Sequence, residues 1–322
     1  MTPATAQSRI PPEATDCLVC RQPEVRRTHE RWATKALLHC PACDVRWWSP
    51  VVAPGEKWYR EHYYYVLRDL LPSDRLNWYH HQFLGHPPLP NGELLEIGCG
   101  TGNFLLAAQD RGFSVTGLEL TERAVAAAQV RVPAVYALPL EQYLQRFPAR
   151  QFDMVVSFEV LEHLPDPRQF LCKVNSALRP GGWVTISVPN RDRWLRRFGD
   201  QEWDRPPHHL TQWTGSALAN CLRLAQFGEV VLTQSPVTPS GIAADLSRVV
   251  RFGIGRRPLE AAIQASPTEV LSAARRTALL YALKERLLTA AVCPLTPLLR
   301  AAGESGPTLM AAARKPVLQA VP

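Results

Sequence analysis

No stretch of this chain reaches the ~18 consecutive apolar residues that a membrane-spanning helix requires. The longest apolar segment, 287–299, is interrupted by Pro294 and Pro297. No transmembrane segment is therefore expected. The opening residues MTPATAQSRIPPEATD lack the apolar core of a secretion signal. A cytoplasmic location follows as the expectation, and with it reduced thiols. No internal repeat is present, which argues against a repeat array. Charged residues are only 20% of the 322, against 46% apolar. That balance excludes wholesale disorder and leaves room for about two domains. Lysine is scarce, 5 residues against 31 arginines. Such a skew reads as genome composition rather than as a design for phosphate. The net charge of +7 is uneven: +2 over 1–90, −1 over 91–240 and +6 over 241–322.

Cysteine is not lacking. Four of the eight form two CxxC pairs, Cys17 with Cys20 and Cys40 with Cys43. A two-residue gap lets one tight knuckle place two thiolates on one ion, and two knuckles complete a tetrahedral S4 site. The expectation is a structural zinc ribbon, which also explains how so short a segment could fold. The alternatives are four unrelated buried cysteines or a redox pair, and no βαβ pattern surrounds either CxxC. Cys99, Cys172, Cys221 and Cys293 are scattered.

The punctuation of the chain divides it into a frayed N-terminus and ribbon (1–50), an aromatic helical linker (51–90), a core (91–240), a basic helical insertion (241–304), and a last strand with its tail (305–322). In the linker, helical spacing breaks at Pro72. Its aromatic residues Tyr63, Tyr64, Tyr65, Trp78 and Tyr79 read first as packing, second as the wall of an acceptor pocket. From residue 93 strands alternate with helices. Strands are expected at 93–98, 114–120, 134–138, 152–158, 182–188 and 229–233. Helices are expected at 102–112, 121–130, 166–178 and 214–227, with Thr121 as an N-cap and Pro167 in a first turn. Strict alternation predicts an α/β fold with a Rossmann-like, doubly wound sheet. Residues 307–314 predict a final strand antiparallel to 229–233.

The most informative stretch is LLEIGCGTGNFL, 94–105. Gly98, Gly100 and Gly102 make a turn over which a ligand can approach backbone. The dinucleotide pattern would place a further glycine at Asn103, so a pyrophosphate is disfavoured. Glu119, ending the second strand, offers two oxygens to the two hydroxyls of a ribose. Leu120 follows it at the same edge. Glu96, just before the turn, could hold an ammonium. A nucleoside without a pyrophosphate fits, and S-adenosylmethionine is such a molecule.

Taken together, LLEIGCGTGNFL, GLEL (117–120), FDMVVSFEVLEHLPDP (152–167) and LRPGGWVTISVPN (178–190) resemble the successive motifs of class I S-adenosylmethionine-dependent methyltransferases. The FEVLEH variant, and PPHHLTQWT at 206–214, are similar to ubiquinone-biosynthesis O-methyltransferases and to small-molecule and glycan methyltransferases around them. The resemblance implies a seven-stranded class I sheet. It assigns Gly98, Gly100 and Gly102 to the methionine end of the cofactor, Glu119 to its ribose, and Phe158 to the border of the reaction centre. Residues 137–140 would face the adenine, but they read Ala-Leu-Pro-Leu, without the Asp common in relatives.

An oxygen acceptor calls for a general base, and histidine is suited to neutral pH. The candidates are His163, His208 and His209, the last two favoured. Glu159, Glu162 and His163 form an alternative divalent-cation site, since some ubiquinone-type relatives use a metal near this signature. The blander reading, preferred here, has Glu162 and His163 capping the next helix and holding the loop. An adenine-amide methyltransferase would carry Asn/Asp-Pro-Pro-aromatic where Phe158-Glu-Val-Leu stands. The expected acceptor is an oxygen (or nitrogen) on a small molecule, sugar or lipid-linked glycan. The basic segments 248–257 and 279–288 read as a solvated face, and secondarily as a peripheral membrane contact or lid. Nucleic acid is disfavoured because the core is neutral. An RNA methyltransferase, and a zinc-ribbon binding protein without catalysis, remain the competing readings.

Overall fold

A computed structural model describes residues 16–55, 58, 62, 75–194, 196, 204–249, 283, 284 and 286–317. The expected frayed terminus, Tyr63, Tyr64, Tyr65 and most of the basic insertion lie outside the described residues.

Three strands open the chain: β1 (Arg26–Trp32), β2 (Lys35–His39) and β3 (Arg46–Ser49), paired antiparallel in sequence order. Helix α1 (Trp78–Gly85) follows, and the larger sheet then begins with β4 (Gly92–Ile97). Helices α2 (Asn103–Gln109), α3 (Glu122–Gln129) and α4 (Leu140–Arg146) alternate with β5 (Phe113–Leu118), β6 (Val135–Tyr136) and β7 (Phe152–Phe158). After a short 3-10 turn at Leu161–His163 come α5 (Pro167–Ala177) and β8 (Leu178–Pro189). The chain continues through β9 (Thr211–Gln212), α6 (Gly215–Leu224), β10 (Gly228–Pro236), α7 (Pro239–Val249), α8 (Thr296–Ala301) and β11 (Ser305–Arg314).

The seven-stranded sheet runs β10-β11-β8-β7-β4-β5-β6. Its strands are parallel except β11, which lies antiparallel between β10 and β8. The order reverses beside β4, and in open α/β sheets that switch point is where a ligand finds a crevice at the strands' carboxyl ends. This is the Rossmann-like, doubly wound seven-stranded sheet that the motifs predict.

Alternation of side chains builds two layers of core. Leu94, Met154, Val156 and Phe158 face Phe83 of α1, Phe104 of α2 and Val125 of α3. Leu95, Ile97, Val155 and Ile186 face the other way, toward Leu171, Val174, Leu218 and Leu222 of α5 and α6. That second layer also contains Cys17, Val19, Leu38, Cys40 and Trp47, so the ribbon packs against the main core. Each such fully buried aromatic or aliphatic side chain contributes about 1.5–3 kcal/mol.

Two local details differ from expectation. Thr121 stands at the N-cap of α3, but its hydroxyl makes no capping bond and donates instead to Glu119 Oε1 at 3.2 Å. The sequence pattern carries no sign of β9. This two-residue strand from the core pairs antiparallel with β3 and extends the ribbon's sheet to four strands.

Candidate functional site

The glycine turn sits at the carboxyl end of β4, and each glycine there has its own reason. Gly98 has φ +82°, and a Cβ on it would lie 2.6 Å from Val160 Cγ2. Gly100 has φ +52°, and a Cβ on it would meet nothing within 4 Å. Gly102 is the left-handed N-cap of α2. The first glycine is thus demanded by packing, whereas the second keeps a space open above the backbone. Gly98→Ala is expected to cost about 2–4 kcal/mol, strain and overpacking together. Gly100→Ala is expected to cost only about 1–2 kcal/mol, from its left-handed backbone alone. Denaturant midpoints of the two variants check this; equal losses would refute the assignment of the open side.

Glu119 closes the turn from β5. Its Oε1 accepts from the backbone N–H groups of Leu120 (2.8 Å) and Thr121 (3.1 Å) and from the Thr121 hydroxyl. Its Oε2 accepts from Gly100 N–H at 3.0 Å. Oε1 is therefore saturated by the turn, and Oε2 is the oxygen with capacity left for a ribose hydroxyl. Leu120, beside it, is 52% exposed, a large apolar side chain standing at the edge of the crevice. Glu96 is buried, and its Oε2 has no hydrogen-bond partner. Burial first, and the charge of Glu119 second, push its carboxyl well above the usual range. Burial of this kind favours the protonated, neutral carboxyl.

A second cluster lies past the end of β7. Glu162 is 1% exposed and neither carboxyl oxygen has a hydrogen-bond partner. Burial and the neighbouring Glu159 push it well above the carboxylate range. His163 Nε2 lies 3.8 Å and His209 Nε2 3.9 Å from Glu162 Oε1. His163 Nδ1 is 2.6 Å from the His208 carbonyl oxygen, which can only accept, so Nδ1 carries the proton and Nε2 a lone pair. Burial, with His209 beside it, lowers His163 to about 3. A ring held neutral so firmly is a poor proton acceptor and a good metal ligand. The ligand atoms of Glu162, His163 and His209 all lie within 4.8 Å of one another, close enough to share one ion.

Three expectations change here. Asp166, not Glu162 or His163, caps α5, accepting from Gln169 N–H at 2.9 Å. His163 does hold the 208 loop through its Nδ1. Glu159 leaves the expected cation trio: with φ +55° its carboxylate takes the Ser187 hydroxyl at 2.9 Å, and His209 stands in its place. The adjacent histidines also part company. The His208 ring packs edge-on to Trp58 at 4.9 Å and His62 at 4.7 Å, while His209 turns to Glu162. Asp204 Oδ1 faces His209 Nδ1 at 3.9 Å and pairs with the buried Arg193 through Oδ2. Burial alone would raise Asp204, but His209 and Arg193 more than offset it and hold the carboxylate low. Asp204 carried no sequence signal, because its role exists only once the loop folds back.

Aromatic rings gather at the end of β7. Tyr79 of α1 stacks on Phe158 at 5.1 Å, and His80 packs on both Phe158 and Phe104. Asn77 N–H donates to His80 Nδ1 at 3.1 Å, and burial lowers this ring to about 3 as well.

In the ribbon, Cys17 and Cys43 Sγ are 3.5 Å apart, as are Cys20 and Cys40. All four are free thiols and all four sulfurs lie within 4.8 Å of one another. The edge of a tetrahedron with Zn–S of about 2.3 Å is about 3.8 Å, close to these separations and far from a disulfide's ~2.05 Å. The Cys43 hydrogen bond lowers Cys17 to about 5, while burial pushes Cys40 up to about 11.

Comparison with known proteins agrees with this geometry. The methyltransferase-domain family matches residues 59–232, more than half of the chain. The ubiquinone biosynthesis O-methyltransferase of Pseudomonas aeruginosa (strain LESB58) is 35% identical over 141 residues, 42% of this chain and 58% of that protein. The chain thus spans less than two thirds of the curated relative's own length. Among solved structures, Haemonchus contortus phosphoethanolamine N-methyltransferase 2, in complex with phosphomonomethylethanolamine and S-adenosylhomocysteine, superposes with TM-score 0.52 at 17% identity, covering 84% of this chain and 62% of that one. An S-adenosylmethionine-dependent methyltransferase from Archaeoglobus fulgidus gives TM-score 0.50 at 16% identity, covering 79% of this chain and all of that one. These two share the fold. With the family match lying over a class I sheet and its glycine turn, the chain belongs to the class I S-adenosylmethionine-dependent methyltransferases.

Proposed function

We propose that this protein transfers the methyl group of S-adenosylmethionine to an oxygen of a small-molecule or glycan acceptor. The observation that carries the oxygen reading is the buried Glu162 carboxyl, without a hydrogen-bond partner and facing Nε2 of two histidines. A carboxyl in that state destabilises the fold unless the site has work for it. The residues present fit the cofactor: open space over Gly100, capacity on Glu119 Oε2, and the lone Glu96 carboxyl for an ammonium. The sulfonium of bound S-adenosylmethionine makes the methyl carbon electrophilic. What the chain adds is alignment and exclusion of water by Tyr79, His80, Phe158 and Phe104.

Glu162, His163 and His209 would hold a divalent cation, which would supply Lewis acidity at the acceptor oxygen. With no cation bound, His209 Nε2, the ring oriented by Asp204 at Nδ1, would instead be the atom positioned to take the hydroxyl proton. His163 is kept neutral for a ligand's role, and His208 serves the aromatic wall. Cys17, Cys20, Cys40 and Cys43 would hold a structural zinc. No helix among the described residues is long and apolar enough to cross a membrane. A cytoplasmic location suits four reduced thiols. A contact with a lipid surface through the basic insertion stays a secondary reading, and an RNA acceptor a weaker one.

The cofactor assignment is tested by calorimetric titration of S-adenosylmethionine. The wild type should bind, and Glu119→Ala should bind at least tenfold more weakly, since a hydrogen bond to a charged group contributes about 1.5–3 kcal/mol. Glu119→Gln, which keeps an acceptor for the turn, should fall between. Equal binding by all three would remove Glu119 from the site; no binding by the wild type would remove the function.

A further inference from the structure

A buried chain of polar contacts runs from β11 to His209. Asn190, fully buried at the end of β8, donates through Nδ2 to Ser305 Oγ at 2.9 Å and to the Gly306 carbonyl at 3.0 Å. Its backbone N–H donates to the Pro307 carbonyl at 2.7 Å. The Asn190 carbonyl in turn accepts from Arg193 Nη1 at 3.0 Å, and Arg193 Nη2 donates to Asp204 Oδ2. The other carboxylate oxygen, Oδ1, faces His209 Nδ1 at 3.9 Å. The far nitrogen of that ring, Nε2, faces Glu162 Oε1 at 3.9 Å. The Arg193 and Asp204 side chains are 4% and 9% exposed. The Asp204 main chain is held as well, its carbonyl accepting from Gln212 Nε2 at 3.2 Å. A buried ion pair of this kind is weak evidence for stability, since an apolar pair of similar volume often serves as well. What it decides is direction. A guanidinium only donates and an ionised carboxylate only accepts. With Oδ2 claimed by Arg193, Oδ1 is the oxygen turned to His209. A carboxylate facing Nδ1 selects the tautomer with its proton there and leaves the lone pair on Nε2.

We infer that Arg193 is a positioning residue for the methyl transfer: by holding Oδ2 of Asp204 it presents Oδ1 to His209, and so keeps that ring in its Nδ1–H form with the Nε2 lone pair turned to Glu162. The inference rests on the acceptor site proposed above and adds the residue that sets its geometry. Arg193 acts through Asp204, not on the acceptor. The Nδ1–H form serves the site in either state, as a ligand to a cation or as the atom that takes a proton.

Nitrogen–proton correlation spectra of the histidine rings read the tautomer directly in the full-length protein, with His209→Gln identifying the resonance. In mildly alkaline buffer without added divalent cation, the wild-type ring should be Nδ1–H. Asp204→Asn should invert it to Nε2–H. Arg193 can only donate, so it claims the amide oxygen and turns the NH2 group toward Nδ1, which must then accept. Asp204→Asn combined with Arg193→Met removes both charges together, so neither is left buried alone. The amide is then free to turn, and the ring should return to Nδ1–H. A pair that merely ties the loop down has no reason to restore in the double variant what the single one inverts. Mn²⁺ affinity, by calorimetry, should fall about 10- to 100-fold in Asp204→Asn and recover in the double variant, because the inverted ring has no lone pair at Nε2. The proposal falls if the wild-type ring is Nε2–H, a result that needs no variant to fold. It falls equally if Asp204→Asn leaves the ring Nδ1–H, or if the double variant stays inverted. Mn²⁺ affinity that does not follow the tautomer would cut the link to Glu162. S-adenosylmethionine binding on the same samples should be unchanged throughout. A wild type that does not bind it, with the tautomers as expected, would overturn the methyl-transfer reading and leave the hold of Arg193 on Asp204 standing.

Discussion

Glu162→Ala is expected to lower kcat about a thousandfold while leaving S-adenosylmethionine affinity within about twofold, a loss of about 4 kcal/mol in the transition state alone. The asymmetry follows from position. Glu162 lies past β7 with His163 and His209, whereas Glu96, Gly98, Gly100 and Glu119 lie at the carboxyl ends of β4 and β5. The same substitution should raise the melting temperature or leave it unchanged. It removes a buried carboxyl without a hydrogen-bond partner, and a group retained at such cost serves function rather than stability. Titration of Mn²⁺ should show one site in the wild type and none in Glu162→Ala. A variant that melts lower and keeps its kcat would show that Glu162 is structural, and the cation site would fall with it.

Removal of the zinc proposed for the ribbon is expected to have the second large effect. Cys40→Ser, or prolonged chelation, should release one zinc per chain and abolish turnover while cofactor binding persists within about threefold. Structural zinc in small ribbons supplies roughly 10–16 kcal/mol of folding free energy at pH 7, so the ribbon cannot hold its shape without it. The consequence travels through named contacts. Trp48 N–H donates to the Leu210 carbonyl at 2.9 Å, and Trp48 Nε1 to the Asp204 carbonyl at 3.2 Å. Trp32 Nε1 donates to the Pro206 carbonyl at 2.9 Å, and β3 pairs with β9. The ribbon thus holds the loop that carries His208 and His209 in place, and losing it removes His209 from Glu162. Trp47 and Trp48 are both buried, so their fluorescence should shift to the red on chelation. Metal content by mass spectrometry, turnover and cofactor titration on one sample decide the matter. Undiminished turnover in the zinc-free protein would show that the ribbon does not position the acceptor loop.

Local pattern carried the sheet. β7 reads as a continuous apolar run because both its faces are covered, and the glycine turn is recognisable because three glycines follow such a strand. The antiparallel β11 was legible from its apolar run at the end of the chain. Its place between β10 and β8 was not, because register in a sheet depends on partners far away in sequence. The candidate cation site shows the same division. Glu162 and His163 are adjacent and stood out, whereas the residue the fold gathers beside them is His209 and not Glu159. A backbone at φ +55° turns that carboxylate to Ser187, and no spacing rule encodes such a turn.

The sequence by itself determined the class I fold, the cofactor turn, and the four cysteines that share one locus. Those features rest on short-range geometry: strand alternation, glycine at a tight turn, two thiols per knuckle. Only the tertiary structure decided that β9 ties the ribbon to the core, that His209 rather than Glu159 completes the Glu162 cluster, and that Arg193 pairs with Asp204 beside His209. Those arrangements join residues distant along the chain. Their physical basis is burial, which leaves charged groups few partners to choose from once the loop after β8 has folded against the ribbon.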